Sequence, residues 1–438
     1  MYSKVRSEEK CFGEFARYTS LNVLGMIGLS CYILADTFFV SKGLGTNGLA
    51  ALNLAIPIYS FIYGCGLMLG IGGATRYSIF RGQKAEQAGN EIFSHVVWST
   101  LALAVIFMAV DLLFSENITG LLGANAQTEE MTNTYIKVVL LLSPAFMMND
   151  VLISFVRNDG NPGLSMTAML TGSFSNIILD YIFIFPMQMG IFGAVFATGL
   201  APVISMAVLS VHFLKKQNHF SMKKVQLRPR IVGTVVSLGF PSLVAEVSSG
   251  LVIIIFNILM LRLEGNTGVA TYGVIANLSL VAIAVYTGLA QGMQPICSEA
   301  YGLGKKEKIR HILRYGIVTE LLIAVIIYLL MFFFADQVAA VFNSENDRRL
   351  QMIAVEGIRL YFTALPFAGF NIVISTYFTS TERAVPAHIV SLLRGIVLIV
   401  PMAFFMAYMW KITGVWLAFP MTEAMVCLIG MGIFRAKR

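Results

Sequence analysis

Seven ionisable side chains stand inside long apolar runs: Asp36, Asp150, Asp180, Glu246, Glu320, Arg394 and Glu423. A charge in hydrocarbon is costly, so each is a candidate for ion binding, ion pairing or proton transfer. Asp36 sits in SCYILADTFFVSK, residues 30–42, among Ile33, Leu34, Phe38, Phe39 and Val40. Asp180 sits in SNIILDYIFIF, four residues after Asn176, so on a helix their side chains share a face. Thr198 follows in GIFGAVFATG. Two carboxylates, a carboxamide and a hydroxyl at one place suit a hard cation such as Na⁺, or a shared proton. The alternative for either acid is a cap of hydroxyls that serves packing alone.

These side chains need helices to carry them. Of 438 residues, 57% are hydrophobic and 13% are charged. Soluble domains carry about 25% charged residues, so this chain reads as a polytopic membrane protein. About twelve runs are long enough to cross: 17–42, 48–80, 92–114, 131–158, 163–185, 190–214, 231–262, 268–300, 311–333, 351–379, 386–409 and 413–434. The polar start MYSKVRSEEK before a long run reads as a first span, not a cleaved signal.

Basic residues set the sidedness. They gather before the first span (Lys4, Arg6, Lys10, Arg17), near Arg76–Lys84, at Arg157, in 215–230, in 305–314, at Arg383 and at the end (Arg435, Lys437, Arg438). These are 23 of the 31 Lys and Arg. The opposite side has Lys42, Lys137, Arg262, Arg348, Arg349, Arg359 and Lys411. Both termini are therefore expected in the cytoplasm, and Trp410 and Trp416 flank the last external turn. The net charge of +7 reflects this loop bias and gives no reason to expect nucleic acid.

In that topology Asp36 and Asp180 each lie about 9 Å below the outer end of their helix, and Thr198 lies about 12 Å down the next one. All reach one depth in the outer half of the first bundle. Tyr32, one turn before Asp36, is in reach of the same place.

The halves repeat. At an offset of 222 residues Gly82 falls on Gly304, Pro144 on Pro366 and Asn149 on Asn371. With a slip of one or two, GLGTNGLAAL matches LEGNTGVATY and GIFGAVFATG matches KITGVWLAFP. Six spans plus six in the same topology imply a parallel repeat about an axis along the membrane normal, with a cleft between lobes. The expected domains are a first lobe, 1–214, a basic cytoplasmic linker, 215–230, and a second lobe, 231–438. LKKQNHFSMKKVQLRPR reads as a solvated linker, with anionic lipid as the alternative. Gly66 and Gly70 allow close helix approach, and the 23 Met are read as packing or as a promiscuous surface. Arg394 and Glu423 lie at similar depth on neighbouring spans and are expected to pair, with Glu320 as the other possible partner of Arg394. The five Cys form no CxxC pair, so neither a disulfide nor a Cys metal site is expected.

DTFFVSKGLGTNGLAALNLAIPI, SNIILDYIFIF, GIFGAVFATG and the repeated halves together resemble the multidrug and toxic compound extrusion (MATE) transporters, in the bacterial branch with DNA-damage-inducible and MepA-like members. The resemblance covers the whole chain. It implies an all-α polytopic membrane protein, about twelve transmembrane helices in two pseudo-symmetric six-helix lobes with a V-shaped cleft. It implies export of amphipathic, often cationic drugs in antiport with H⁺ or Na⁺, with no cofactor, as a monomer in the plasma (inner) membrane. The family's first-span acid matches Asp36, and its cation cluster matches Asn176, Asp180 and Thr198, the residues for a possible Na⁺. Tyr32 and Asn149 match positions of the substrate cavity. Some members carry a seventh-span glutamate where this chain has Ser249, so a second cation site is not carried over. The second-lobe counterpart of Asp36 is near Asn257, which cannot titrate.

A lipid or oligosaccharide flippase of the same superfamily is the rival within transport. Such proteins often have extra spans and a cationic cavity, whereas Arg394 is the one clearly mid-membrane cation here. An embedded enzyme is disfavoured. There is no HExxH, GxSxG or Walker A sequence, and His95, His212, His219, His311 and His388 all fall near cytoplasmic ends. A channel is disfavoured by acids confined to one lobe of a parallel repeat.

Overall fold

The structure is a computed structural model that describes residues 2–343 and 347–436, with side chains from Lys10 onward. Lys4, Arg6, Lys437 and Arg438 of the basic tally have side chains outside the described residues. Every element among the described residues is helical. They run α1 (Tyr2–Gly82), α2 (Glu86–Leu121), α3 (Glu129–Leu141), α4 (Ser143–Asn158), α5 (Pro162–Ile184), α6 (Gly190–Leu214) and α7 (Pro229–Gly302). Then follow α8 (Lys306–Phe333), α9 (Ala335–Phe342), α10 (Arg348–Tyr361), α11 (Leu365–Ser380), α12 (Ala384–Leu392) and α13 (Ile399–Ala436).

Among the described residues eight helices, or nine with the bent pair α3–α4, are long and apolar enough to cross a membrane. Three of them are two rods joined at a break, at Gly45, Gly265 and Trp410–Lys411. Twelve crossing rods result, as the apolar runs predict. Gly45 (φ 66°) and Gly265 (φ 62°) take a left-handed conformation that an L side chain resists, so the chain turns there without a loop.

The repeat is written in the backbone as well. Positive-φ residues pair as Gly45 with Gly265, Lys84 with Gly304, Gly160 with Glu382 and Gln188 with Lys411, at offsets of 220 to 223 residues. Both fourth-in-half spans break before a proline. Residues 129–158 bend by 49° ahead of Pro144, and a 3₁₀ turn, Phe362–Ala364, precedes Pro366. Proline lacks the N–H of the ladder, so the helix restarts with it in the first turn.

The chain divides into two compact units. One holds 20–247 and 295–306, the other 1–19, 248–294 and 307–438. Each has its own apolar core, around Phe155, Met147, Ile62 and Phe93 in the first and around Phe256, Tyr272, Trp416 and Phe362 in the second. Along α8 every fourth residue is buried (Ile312, Gly316, Glu320, Ala324), while Val318, Leu321, Leu322, Val325 and Leu329 face outward. Apolar side chains on the outside are what a lipid-facing helix presents. In the first unit Gly66 and Gly70 bring α1 against Asp150 and Ser154 of α4 with no room for a Cβ. Close helix approach at small residues is the packing their spacing predicts.

The linker differs from expectation. Its lysines are exposed, but its backbone is docked on α2. Ser221 N–H donates to Asn90 Oδ1 (2.6 Å), Lys223 N–H to Ser94 Oγ (2.9 Å) and Arg228 N–H to His95 Nε2 (3.1 Å). Phe220 is 1% exposed, with its ring 4.5 Å from that of Phe93 and 5.5 Å from those of Tyr77, Phe155 and Phe213. An aromatic anchor and three side-chain acceptors fasten a segment whose charges read as solvated.

Candidate functional site: a buried carboxyl pair

Asp36 reaches the core of the first unit from the rod of α1 that precedes Gly45, and Asp180 from α5. They are 7% and 0% exposed. Their carboxyl groups lie within hydrogen-bonding reach of each other. Two bare carboxylates do not sit this way in an apolar interior, so the arrangement suits a shared proton or cation. Oδ1 of each is buried with no hydrogen-bond partner. Both oxygens are hard donors, which suits Na⁺ as well as H⁺.

The surroundings hold this pair in place. Helices α5 and α6 pack side by side, and small residues permit it: Gly172 meets Ala201 and Ser205 at contact distance. That brings Asn176 to Thr198. The amide orientation that satisfies both its ends has Nδ2 donating to Asp180 Oδ2 (3.0 Å) and Oδ1 accepting from Thr198 N–H (3.2 Å). Thr198 Oγ1 bonds back to Ala194 O (3.1 Å). Asp36, Asn176, Asp180 and Thr198 therefore occupy one buried place.

Tyr32 is buried, and its hydroxyl lies 3.0 Å from that of Tyr59. Tyr59 stacks on Tyr63 (6.0 Å between centroids) and stands edge-on to Phe146. Asn149 lies on α4, half-buried, with Oδ1 lacking a partner. Its neighbour Asp150 is buried against Gly66, within electrostatic reach of Glu246. Two residues of this region were not foreseen. Tyr135 of α3 has its hydroxyl in hydrogen-bonding reach of Thr198 and senses both Asp36 and Asp180. Tyr59 joins Tyr32. Their only signal was a hydroxyl inside an apolar run, which many packing tyrosines share.

In the last turn of α4 Arg157 is 1% exposed and donates to Asn22 Oδ1 (3.1 Å). Two residues on, Asp159 receives His212 Nε2 (2.8 Å), His219 N–H (2.8 Å) and the Tyr77 hydroxyl (2.5 Å). Burial pushes its carboxyl up, but these hydrogen bonds outweigh that and hold it below the usual carboxylate range. In the second unit Arg394 pairs with Glu423 (2.8 Å), and Asn371 Nδ2 donates to the same carboxylate (2.7 Å). Glu423 is thus the partner of Arg394, not Glu320.

The chain matches the MatE family model over residues 23–182 and 241–405, one match in each half. Among curated proteins it is similar to the multidrug export protein MepA of Staphylococcus saprophyticus, 26% identical over 93% of this chain and 90% of that one. MepA of Staphylococcus aureus is 25% identical over the same shares. Among solved structures it resembles a MATE transporter in complex with MaL6, with TM-score 0.90 and 24% identity over 97% of this chain and 95% of that one. An outward-facing multidrug-resistance MATE transporter of the MOP superfamily gives TM-score 0.89, also at 24% identity over 97% and 95%.

Proposed function

Because the chain belongs to the MatE family, we propose that it is a secondary active multidrug exporter, driven by antiport of H⁺ or Na⁺. Relatives named for multidrug export, similar over nearly their whole length, support that substrate class. The observation that carries the reading is the contact between the Asp36 and Asp180 carboxyls, each with an unpartnered oxygen inside the first unit's core. Nothing in packing requires two acids to meet there. A coupling ion does.

The cycle follows from charge and hydrogen bonding. An external ion enters between Asp36 and Asp180, where Asn176 fixes one carboxylate and Thr198 fixes Asn176. Neutralising the pair changes what the first rod of α1, before Gly45, is bonded to. That rod rests on α5 through Gly25 against Met169 and Gly28 against Leu170, small positions at which it bends. Tyr32 and Asn149 line the route of an amphipathic, often cationic drug. Bending closes that route, the drug leaves outward, and the ion is released inward when access alternates. The ion binds the two states with unequal affinity, since otherwise it drives nothing.

The repeated halves, 1–214 and 231–438 joined by 215–230, are the moving parts. The protein acts as a monomer in the plasma membrane with both termini cytoplasmic, the side its basic loops share. Substrate efflux from vesicles, with Na⁺ and pH gradients imposed separately, tests the reading and names the ion. Export under one gradient supports it. Export under neither removes the antiport mechanism.

A further inference from the structure

Glu320 lies in the middle of α8, about 20 Å from either end at 1.5 Å per residue. It is 1% exposed, and Oε1 has no hydrogen-bond partner. The side chain lodges against the bare backbone of Gly369 on α11, where a Cβ would come within 2.6 Å of Glu320 Cδ. From α7, Tyr286 lies within electrostatic reach, 0% exposed, and its hydroxyl also lacks a partner. From α13, Cys427 senses both Glu320 and Glu423. Arg394 is held by Glu423, and Glu320 has no salt-bridge partner among the described residues.

An ionised carboxylate with no cation and an open oxygen is not sustained in this setting. The neutral acid is. A lone buried acid is expensive even so, and an apolar residue of similar volume would pack as well. The neighbourhood instead keeps a donor, the Tyr286 hydroxyl, with no acceptor, within electrostatic reach of a carboxyl that becomes a stronger acceptor when it loses its proton.

We propose that Glu320 is a proton-exchange site of the second unit, distinct from the Asp36–Asp180 pair. Its carboxylate takes a proton from hydronium and leaves water. On release the proton returns to water, and the carboxylate, a stronger acceptor than the neutral acid, draws the Tyr286 hydroxyl of α7 towards α8. The site adds a proton to the proposed export cycle but does not rest on Asp36 and Asp180.

Infrared difference spectroscopy of the purified protein in lipid, titrated from acid to alkaline pH, tests this. The wild type shows a protonated-carboxyl band that is lost in Glu320→Gln and kept in Asp36→Asn. Tyr286→Phe, nearly equal in volume, keeps the band and moves its titration midpoint. A carboxyl band unchanged in Glu320→Gln overturns the proposal. So does an unmoved midpoint in Tyr286→Phe, which carries the test alone if Glu320→Gln does not fold. The readout is proton binding, so a failure of the export reading leaves it standing.

Discussion

Replacing Phe220 by Ala should free the linker and destabilise the first unit without touching the membrane-buried acids. The ring is 1% exposed and is enclosed by Phe93, Tyr77, Phe155, Phe213 and, at 6.1 Å, His212. This place lies at the ends of the helices beside the exposed linker lysines, where the alternative to burial is water. The magnitudes known for soluble cores therefore apply there, whereas between lipid-facing helices they do not. Truncating a fully buried Phe costs about 3–5 kcal/mol, the upper part if the cavity cannot collapse. Tyr77 and Phe93 already pack on Phe155, and Phe213 on His212, which leaves little room for collapse. The loss exceeds what three backbone hydrogen bonds to Asn90, Ser94 and His95 supply, at about 1 kcal/mol each. The linker should therefore detach before the helices separate. Trypsin, which cuts after the exposed Lys215, Lys216, Lys223 and Lys224, reports the detachment. Thermal unfolding in detergent reports the stability. Cleavage in the linker should become much faster and the melting temperature should fall, while Leu227→Ala, at a side chain 51% exposed, changes neither. Wild-type cleavage and melting in Phe220→Ala would refute the docked linker.

Two further outcomes follow from buried charges. Arg394→Ala leaves Glu423, 1% exposed, without its cation, and should lower the melting temperature in detergent. The joint change Arg394→Met with Glu423→Leu should recover most of it in the same melting assay, and no recovery would mean that packing, not charge, is the cause. Asp159 has a folded-state carboxyl below its ordinary value near 3.9, so it binds a proton more weakly folded than unfolded. Its stabilisation is present above about pH 4 and is lost as acid passes the folded value. Amide hydrogen exchange in residues 217–221 should rise on that acid limb, and Asp159→Asn should flatten it.

Much of this was legible in the sequence, for identifiable reasons. Crossing runs are visible because hydrocarbon demands about 20 apolar residues, and that demand needs no tertiary knowledge. The meeting of Asn176 and Asp180 follows from four-residue spacing. Their meeting with Asp36 follows from shared depth. Tyr59 and Tyr135 stayed hidden because a lipid-surrounded helix is apolar on every face, so periodicity does not separate core from lipid. The breaks at Gly45 and Gly265 read as loops because Gly and Asn cluster there, whereas helical bonding resumes after one left-handed residue. The linker misled because lysines exposed on both sides of Phe220 dominate its composition. Asp159 falls just outside the crossing run 131–158, and its partners Tyr77, His212 and His219 come from segments that no spacing rule connects.

The central claim is that Asp36 and Asp180 share one coupling ion, and gradient-driven efflux in proteoliposomes tests it most directly. Asp36→Asn and Asp180→Asn should each abolish efflux above the leak with folding intact, and the double variant should be no worse than either. Residues that act as one unit give such non-additive losses. Efflux at the wild-type rate in either single variant would contradict the account.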